Sequence, residues 1–324
     1  MSENKGMPIL FLKATNSCQK LWYRIGVLLF LFVLSQILAT EASFAHDFPA
    51  TQQDRTKFTA PFGKVLYTDC DLPDAVKEQQ SKKVLVLIRL KGTNGDSTTV
   101  VIFGTGIVAA PGVIVTSRHL LLNGIEELKK KGQYDYMLDD GLPKGINFDY
   151  EIQGFVINEE NTYKFPLTLK AMEEPSSLRD IMALEMDSRT KITARTREVF
   201  DEQTGRQVPN PYRNLLRPVI FTDNISIADP TYTSGFLGDG YYDLIDFTLC
   251  GQLSASVENM PANKDGIKRA YRIYGKIEHG FSGGPSYNKE GEVFGLNTRL
   301  VGYNFFHVLS SKDVLEFLKE HKIK

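Results

Sequence analysis

From position 84 onward the chain is cut into short apolar or alternating segments, each closed by turn-forming residues. Such punctuation leaves room for few helices, so the core must come from many short strands packed as a sandwich or barrel. Val84–Leu90 and Thr98–Phe103 flank Thr93-Asn94-Gly95-Asp96, a hairpin signal. Ile107–Ala109 meets Ala110-Pro111-Gly112 and resumes as Val113–Thr116, a second tight hairpin that delivers the chain to His119. Further strands are expected at Glu151–Asn158, Lys164–Ala171, Ile181–Met186, Pro218–Phe221, Tyr242–Leu249, Arg269–Tyr274, Val293–Asn297 and Phe305–Leu309.

Two helices interrupt this pattern. Gly124–Lys131 places Glu126 and Glu127 ahead of Lys129, Lys130 and Lys131, the order a helix dipole favours. Ser311–Lys322 opens on serine and aspartate and puts Val314, Leu315, Phe317 and Leu318 on one face, so it reads as a capped terminal helix. Two stretches lack periodicity: residues 46–82 read as an extended arm, and Ser188–Arg217 as a long loop between two β units. The sequence shows no internal repeat.

The first 45 residues differ from the rest. Lys5, Lys13, Lys20 and Arg24 precede the apolar run Ile25–Leu34, and Ser43-Phe44-Ala45 supplies the small residues of a cleavage site before His46. That is the layout of an export signal, with a retained membrane anchor over residues 21–39 as the rival. The expected location is therefore periplasmic or extracellular. Beyond that segment two cysteines remain, Cys70 and Cys250. In an oxidising compartment they either pair, tying the start of the mature chain to its second half, or stay as separate buried thiols.

Of 324 residues, 42% are hydrophobic and 24% charged, with a net charge of −1, an ordinary globular balance. No basic tract offers a footprint for nucleic acid, and that class of partner is not expected.

Three islands carry chemistry. In Val115-Thr116-Ser117-Arg118-His119 a histidine follows a buried strand, which suits a general base that must stay aligned with a nucleophile. In Arg179-Asp180-Ile181-Met182-Ala183-Leu184 an aspartate stands at the mouth of an apolar strand, where it can orient an imidazole or simply shape a turn. The third, Gly280-Phe281-Ser282-Gly283-Gly284-Pro285, is the most specific. Gly280 can take backbone conformations closed to other residues, letting its N–H join that of Ser282 as an oxyanion hole.

Gly-Phe-Ser-Gly-Gly also fits the nucleophile elbow of α/β-hydrolases, a pattern in which the serine opens a helix and the acid and histidine follow it. Here Pro285 leads into Ser286-Tyr287-Asn288-Lys289-Glu290-Gly291, a strand-and-turn stretch, and only 42 residues follow Ser282. A serine esterase of that fold is not expected on either count.

The islands run His119, Asp180, Ser282, separated by 61 and 102 residues, and in this order the chain resembles the trypsin-like superfamily. Within it the HtrA-type proteases are nearest. Gly104-Thr105-Gly106 resembles their glycine pair before the histidine strand, and Gly291-Glu292-Val293-Phe294-Gly295-Leu296-Asn297-Thr298 is similar to their stretch after the serine. The resemblance implies an all-β fold of two six-stranded antiparallel β-barrels with a C-terminal helix. The expected division is a signal or anchor at 1–45, an arm at 46–82, a first barrel at 83–190, and a second barrel plus helix at 191–324.

It further implies a serine endopeptidase acting on protein or peptide substrates through an acyl-enzyme, with no metal or cofactor. His119, Asp180 and Ser282 would be the triad, with Lys276 and Ile277 in the primary substrate pocket. Arg118 stands where the family has a small residue, Phe281 where it has Asp or Asn, and no PDZ module follows. Those two substitutions define the alternative reading, a catalytically inactive binding or scaffold protein of the cell envelope on the same fold.

Overall fold

The computed structural model describes residues 67–324 apart from 69, 81, 94–97, 158–161, 178, 202–203, 238–244, 258–269, 276 and 302–303. The expected signal or anchor at 1–45, most of the expected arm, Lys276 and the expected turn at Asn94-Gly95-Asp96 lie outside the described residues. Among the described residues no helix is long and apolar enough to cross a membrane.

The chain passes through β1 (Tyr67–Thr68), α1 (Asp74–Gln80), β2 (Lys83–Gly92), β3 (Thr99–Ala110), β4 (Val113–Thr116), α2 (His119–Lys129), β5 (Asp135–Asp139), β6 (Leu142–Ile146), β7 (Phe148–Ile157), β8 (Thr162–Met172) and β9 (Met182–Met186). It continues through α3 (Ser188–Arg195), β10 (Glu198–Asp201), β11 (Arg206–Pro209), β12 (Pro230–Leu237), β13 (Ile245–Val257), β14 (Ala270–Tyr274), β15 (Pro285–Tyr287), β16 (Val293–Val301), β17 (Phe305–Ser310) and α4 (Ser311–Glu320).

Strands β2-β3-β4-β9-β8-β7 close the first barrel in that order. The second closes as β12-β13-β14-β17-β16-β15, every neighbouring pair antiparallel, while β1 adds to β13 in parallel outside the ring. Numbered from its own first strand, each barrel has the order 1-2-3-6-5-4. The expected all-β fold of two six-stranded antiparallel barrels closed by a C-terminal helix is the observed one.

Alternation builds the first core: Val84, Val86, Ile88 and Leu90 of β2 all face one apolar cluster, joined by Leu120, Leu121, Ile125 and Leu128 of α2. Strands β4 and β9 are buried on both faces. Ile114, Met182 and Leu184 point into that cluster, whereas Val113, Val115, Ile181 and Ala183 point into a seam shared with Leu296 and Leu309 of the second barrel and Phe317 of α4. Two-sided burial explains why Val113–Val115 and Ile181–Leu184 read as unbroken apolar runs.

Several short elements differ from expectation. The stretch 188–217 holds α3, capped where Asp187 Oδ1 accepts from the Thr190 N–H at 3.0 Å, and the β10–β11 hairpin. The arm contains α1, whose Val76 is fully buried in the seam. The expected helix 124–131 begins earlier, at His119, because Leu120 and Leu121 join its buried face. Conversely, the strand expected at 218–221 reduces to a single bridge, Phe221 to Val293. The structure pairs Cys70 with Cys250 as a disulfide, their Cα atoms 6.1 Å apart, fastening the segment before α1 to β13.

Candidate active site

Antiparallel pairing brings the first two islands together. Strand β4 runs beside β9 with Thr116 opposite Met182 and Val115 opposite Ala183. The C-terminal end of one strand therefore adjoins the N-terminal start of the other, so His119, three residues past Thr116, meets Asp180, two residues before Met182. The contact is double: the His119 backbone N–H donates to Asp180 Oδ1 at 2.9 Å, and Nδ1 of the ring stands 2.5 Å from Oδ2. The side chains of His119 and Asp180 keep 27% and 15% of their surface exposed, so the ring is held yet reachable.

Burial disfavours a charge on Asp180. The attraction of the His119 ring, the hydrogen bonds from that ring and from the His119 backbone N–H, and the nearby Arg118 guanidinium outweigh burial and hold the carboxyl below its ordinary range. The Arg118 guanidinium itself donates to the carbonyls of Glu173, Glu174 and Ser177, the loop that leads to Asp180. The unusual residue beside His119 is thus engaged with that loop.

Ser282 comes from the second barrel, between β14 and β15. Its Oγ lies 2.9 Å from Nε2 of His119, so the three predicted residues form one line from carboxylate through imidazole to hydroxyl. Glu278 to Phe281 is a turn closed by the Phe281 N–H on the Glu278 carbonyl at 3.3 Å, with Gly280 in third position at φ 99°. A positive φ there defines a type II turn and demands glycine. Gly283, at φ 80°, is required for space as well: a Cβ would sit 2.1 Å from Thr116 Oγ1 and 2.3 Å from the Thr105 carbonyl. Neither the Gly280 nor the Ser282 N–H finds an acceptor among the described residues.

Behind this turn lies a buried polar frame that the sequence did not announce. Asn297 of β16, wholly buried, exchanges backbone bonds with Gly283 at 2.7 Å and Gly284 at 2.8 Å. Its side-chain amide donates to the carbonyls of Ser234 and Phe281 and its Oδ1 accepts from Ser286 Oγ, so no polar atom of the side chain is stranded. Phe281 is 2% exposed and packs in the apolar cluster of the second barrel, 6.3 Å between ring centres from Phe247. Ile277, expected in the substrate pocket, is buried in the same cluster; its neighbour Lys276 lies outside the described residues.

No protein-family model matches the chain, and no curated protein does. Among solved structures it is similar to the Rv3671c protease in its inactive form, at 14% identity and a TM-score of 0.45, over 78% of this chain and 98% of that one.

Proposed function

We propose that this chain is an exported serine endopeptidase of the trypsin-like kind. The observation that carries the reading is the unbroken Asp180–His119–Ser282 line beside two backbone N–H groups with no acceptor among the described residues. In this mechanism Ser282 Oγ attacks a peptide carbonyl while His119 Nε2 takes its proton. The imidazolium, with Nδ1–H held by the ionised Asp180, then protonates the leaving amine. The Gly280 and Ser282 N–H groups receive the oxyanion, an interaction whose loss typically costs ~10²–10³-fold in rate. Water repeats the sequence on the acyl-enzyme, and no metal or cofactor enters it.

Engagement of Arg118 with the 173–177 loop and of Phe281 with the apolar cluster supports an active enzyme over an inactive scaffold, because neither side chain displaces the line. The Cys70–Cys250 disulfide supports an oxidising compartment, in keeping with the export segment. Protein or peptide substrates would lie in the crevice between the barrels. Purified protein should digest casein, and Ser282→Ala should lose on the order of 10⁴- to 10⁶-fold in rate without losing its fold. A variant digesting casein at the wild-type rate would rule the reading out.

A further inference from the structure

The serine turn belongs to the second barrel, yet its conformation is fixed largely from the first, by one residue in the middle of β3. The Thr105 hydroxyl donates to the Gly280 carbonyl at 2.7 Å and accepts from the Phe236 N–H at 3.0 Å. The Thr105 N–H donates to the Ser282 carbonyl at 2.9 Å, and its own carbonyl accepts from Thr116 Oγ1 at 2.6 Å. Thr105 is wholly buried, so water cannot replace any of these bonds. They grip a peptide unit on each side of the Phe281–Ser282 pair: the side chain fixes the 280–281 unit and the backbone fixes the 282–283 unit. The same residue reaches Thr116, at the end of the strand that leads to His119, so general base and oxyanion turn hang from one point.

We propose that Thr105 is a positioning residue for the reaction, holding the Gly280 and Ser282 N–H groups where the oxyanion develops. The inference rests on the serine-protease reading above. Gly280 alone cannot hold this geometry, since glycine's backbone also accepts the alternative turn in which the 279–280 peptide is rotated. The hydroxyl on the following carbonyl anchors the adjoining peptide and so opposes that rotation. A strand residue supplies what a flexible turn lacks, and any group that stabilises only the transition state must be held before the reaction begins.

The test compares wild type with Thr105→Val, Thr105→Ser and Ser282→Ala, using p-nitrophenyl acetate turnover and the rate of inactivation by a fluorophosphonate. Valine keeps the shape and the backbone bonds but loses the hydroxyl; serine keeps the hydroxyl. Thr105→Val should lower kcat about 10- to 100-fold, short of outright loss of an oxyanion donor. KM should stay within threefold, and fluorophosphonate inactivation should slow in parallel with kcat. Thr105→Ser should stay within threefold of wild type in all three quantities, the rescue that a purely packing role for the methyl group would not give. Circular dichroism melts check that both variants fold, and Thr105→Ala, smaller and without the hydroxyl, replaces valine if valine unfolds. A hydroxyl-free variant that is folded and as fast as wild type, or a serine variant as impaired as it, overturns the proposal. Failure of the protease reading looks different: wild type and Ser282→Ala would then react alike.

Discussion

Both barrels run 1-2-3-6-5-4, and in both the connection after the third strand carries a residue of the site, yet the two connections are built in opposite ways. In the first, β4 ends at Thr116 and the chain turns into α2 with His119 as its first residue, its apolar side sunk in the barrel core. In the second, β14 ends at Tyr274 and the chain crosses to β15 through a glycine-rich loop with no regular element among its described residues. A ring held by a strand end, a helix start and a carboxylate needs no outside support. A serine on a glycine turn does, and receives it from Thr105 of the opposite barrel and Asn297 behind. The polar interior around Ser234, Thr248, Ser286 and Asn297 belongs to the second barrel, on the side where the loop must be held, and Lys83 and Ser117 of the first barrel join it.

This contrast can be attacked from the first barrel. Asp180→Asn removes the charge that fixes the ring while leaving the strands alone, and should lower kcat about 10⁴-fold by admitting the wrong tautomer. Steady-state kinetics measures it, with circular dichroism confirming that the variant folds. A fall of less than tenfold would mean that the two strand ends hold His119 without the carboxylate.

A second attack is on the tie between the barrels. Lys83 of β2, with no exposed side-chain surface, pairs with Asp246 of β13 and donates to Ser234 Oγ at 2.8 Å. Lys83→Met leaves the carboxylate unpaired in a mostly buried place and should destabilise by about 3 kcal/mol. Because Asp246 retains some solvent contact, the low end of the usual range applies. Urea unfolding measures it; a change under about 0.5 kcal/mol would show that the apolar seam alone joins the barrels.

The smallest effect is on acid stability. Asp180 has a folded-state value below the unfolded ~3.9, so its contribution is complete above that value and disappears as pH falls through the lower one. The stability difference between wild type and Asp180→Asn should therefore be constant from pH 6 to about pH 5 and shrink below about pH 4. A difference that does not change with acidification would mean that the carboxylate gains nothing from His119 in the folded state.

The line of the site was legible because each member is named by residue type beside a strong local pattern: a strand end, a strand mouth and a glycine turn, in a fixed chain order. The strands were legible for the same reason, since two-sided burial writes itself into the unbroken apolar runs Val84–Ile88 and Ile181–Leu184. What the sequence hid depends on contacts between distant residues. Thr105 and Asn297 are ordinary polar residues in strands, and only the meeting of β3 with the serine turn, 175 residues further on, gives Thr105 two of its four bonds. Short elements such as α3 and the β5–β6 hairpin are set by a cap or a tight turn and carry too few apolar residues to show a period. The repeat of the strand order was invisible as well, because pairing order is a property of the backbone and the two halves fill it with different side chains.

The central claim is that Ser282 is nucleophilic because His119 stands against it. A labelled fluorophosphonate followed by peptide mapping tests this directly. The adduct should fall on Ser282 in the wild type and vanish in His119→Ala although the serine is still present. Labelling that persists in His119→Ala at the wild-type rate, or an adduct on any other serine, would contradict it.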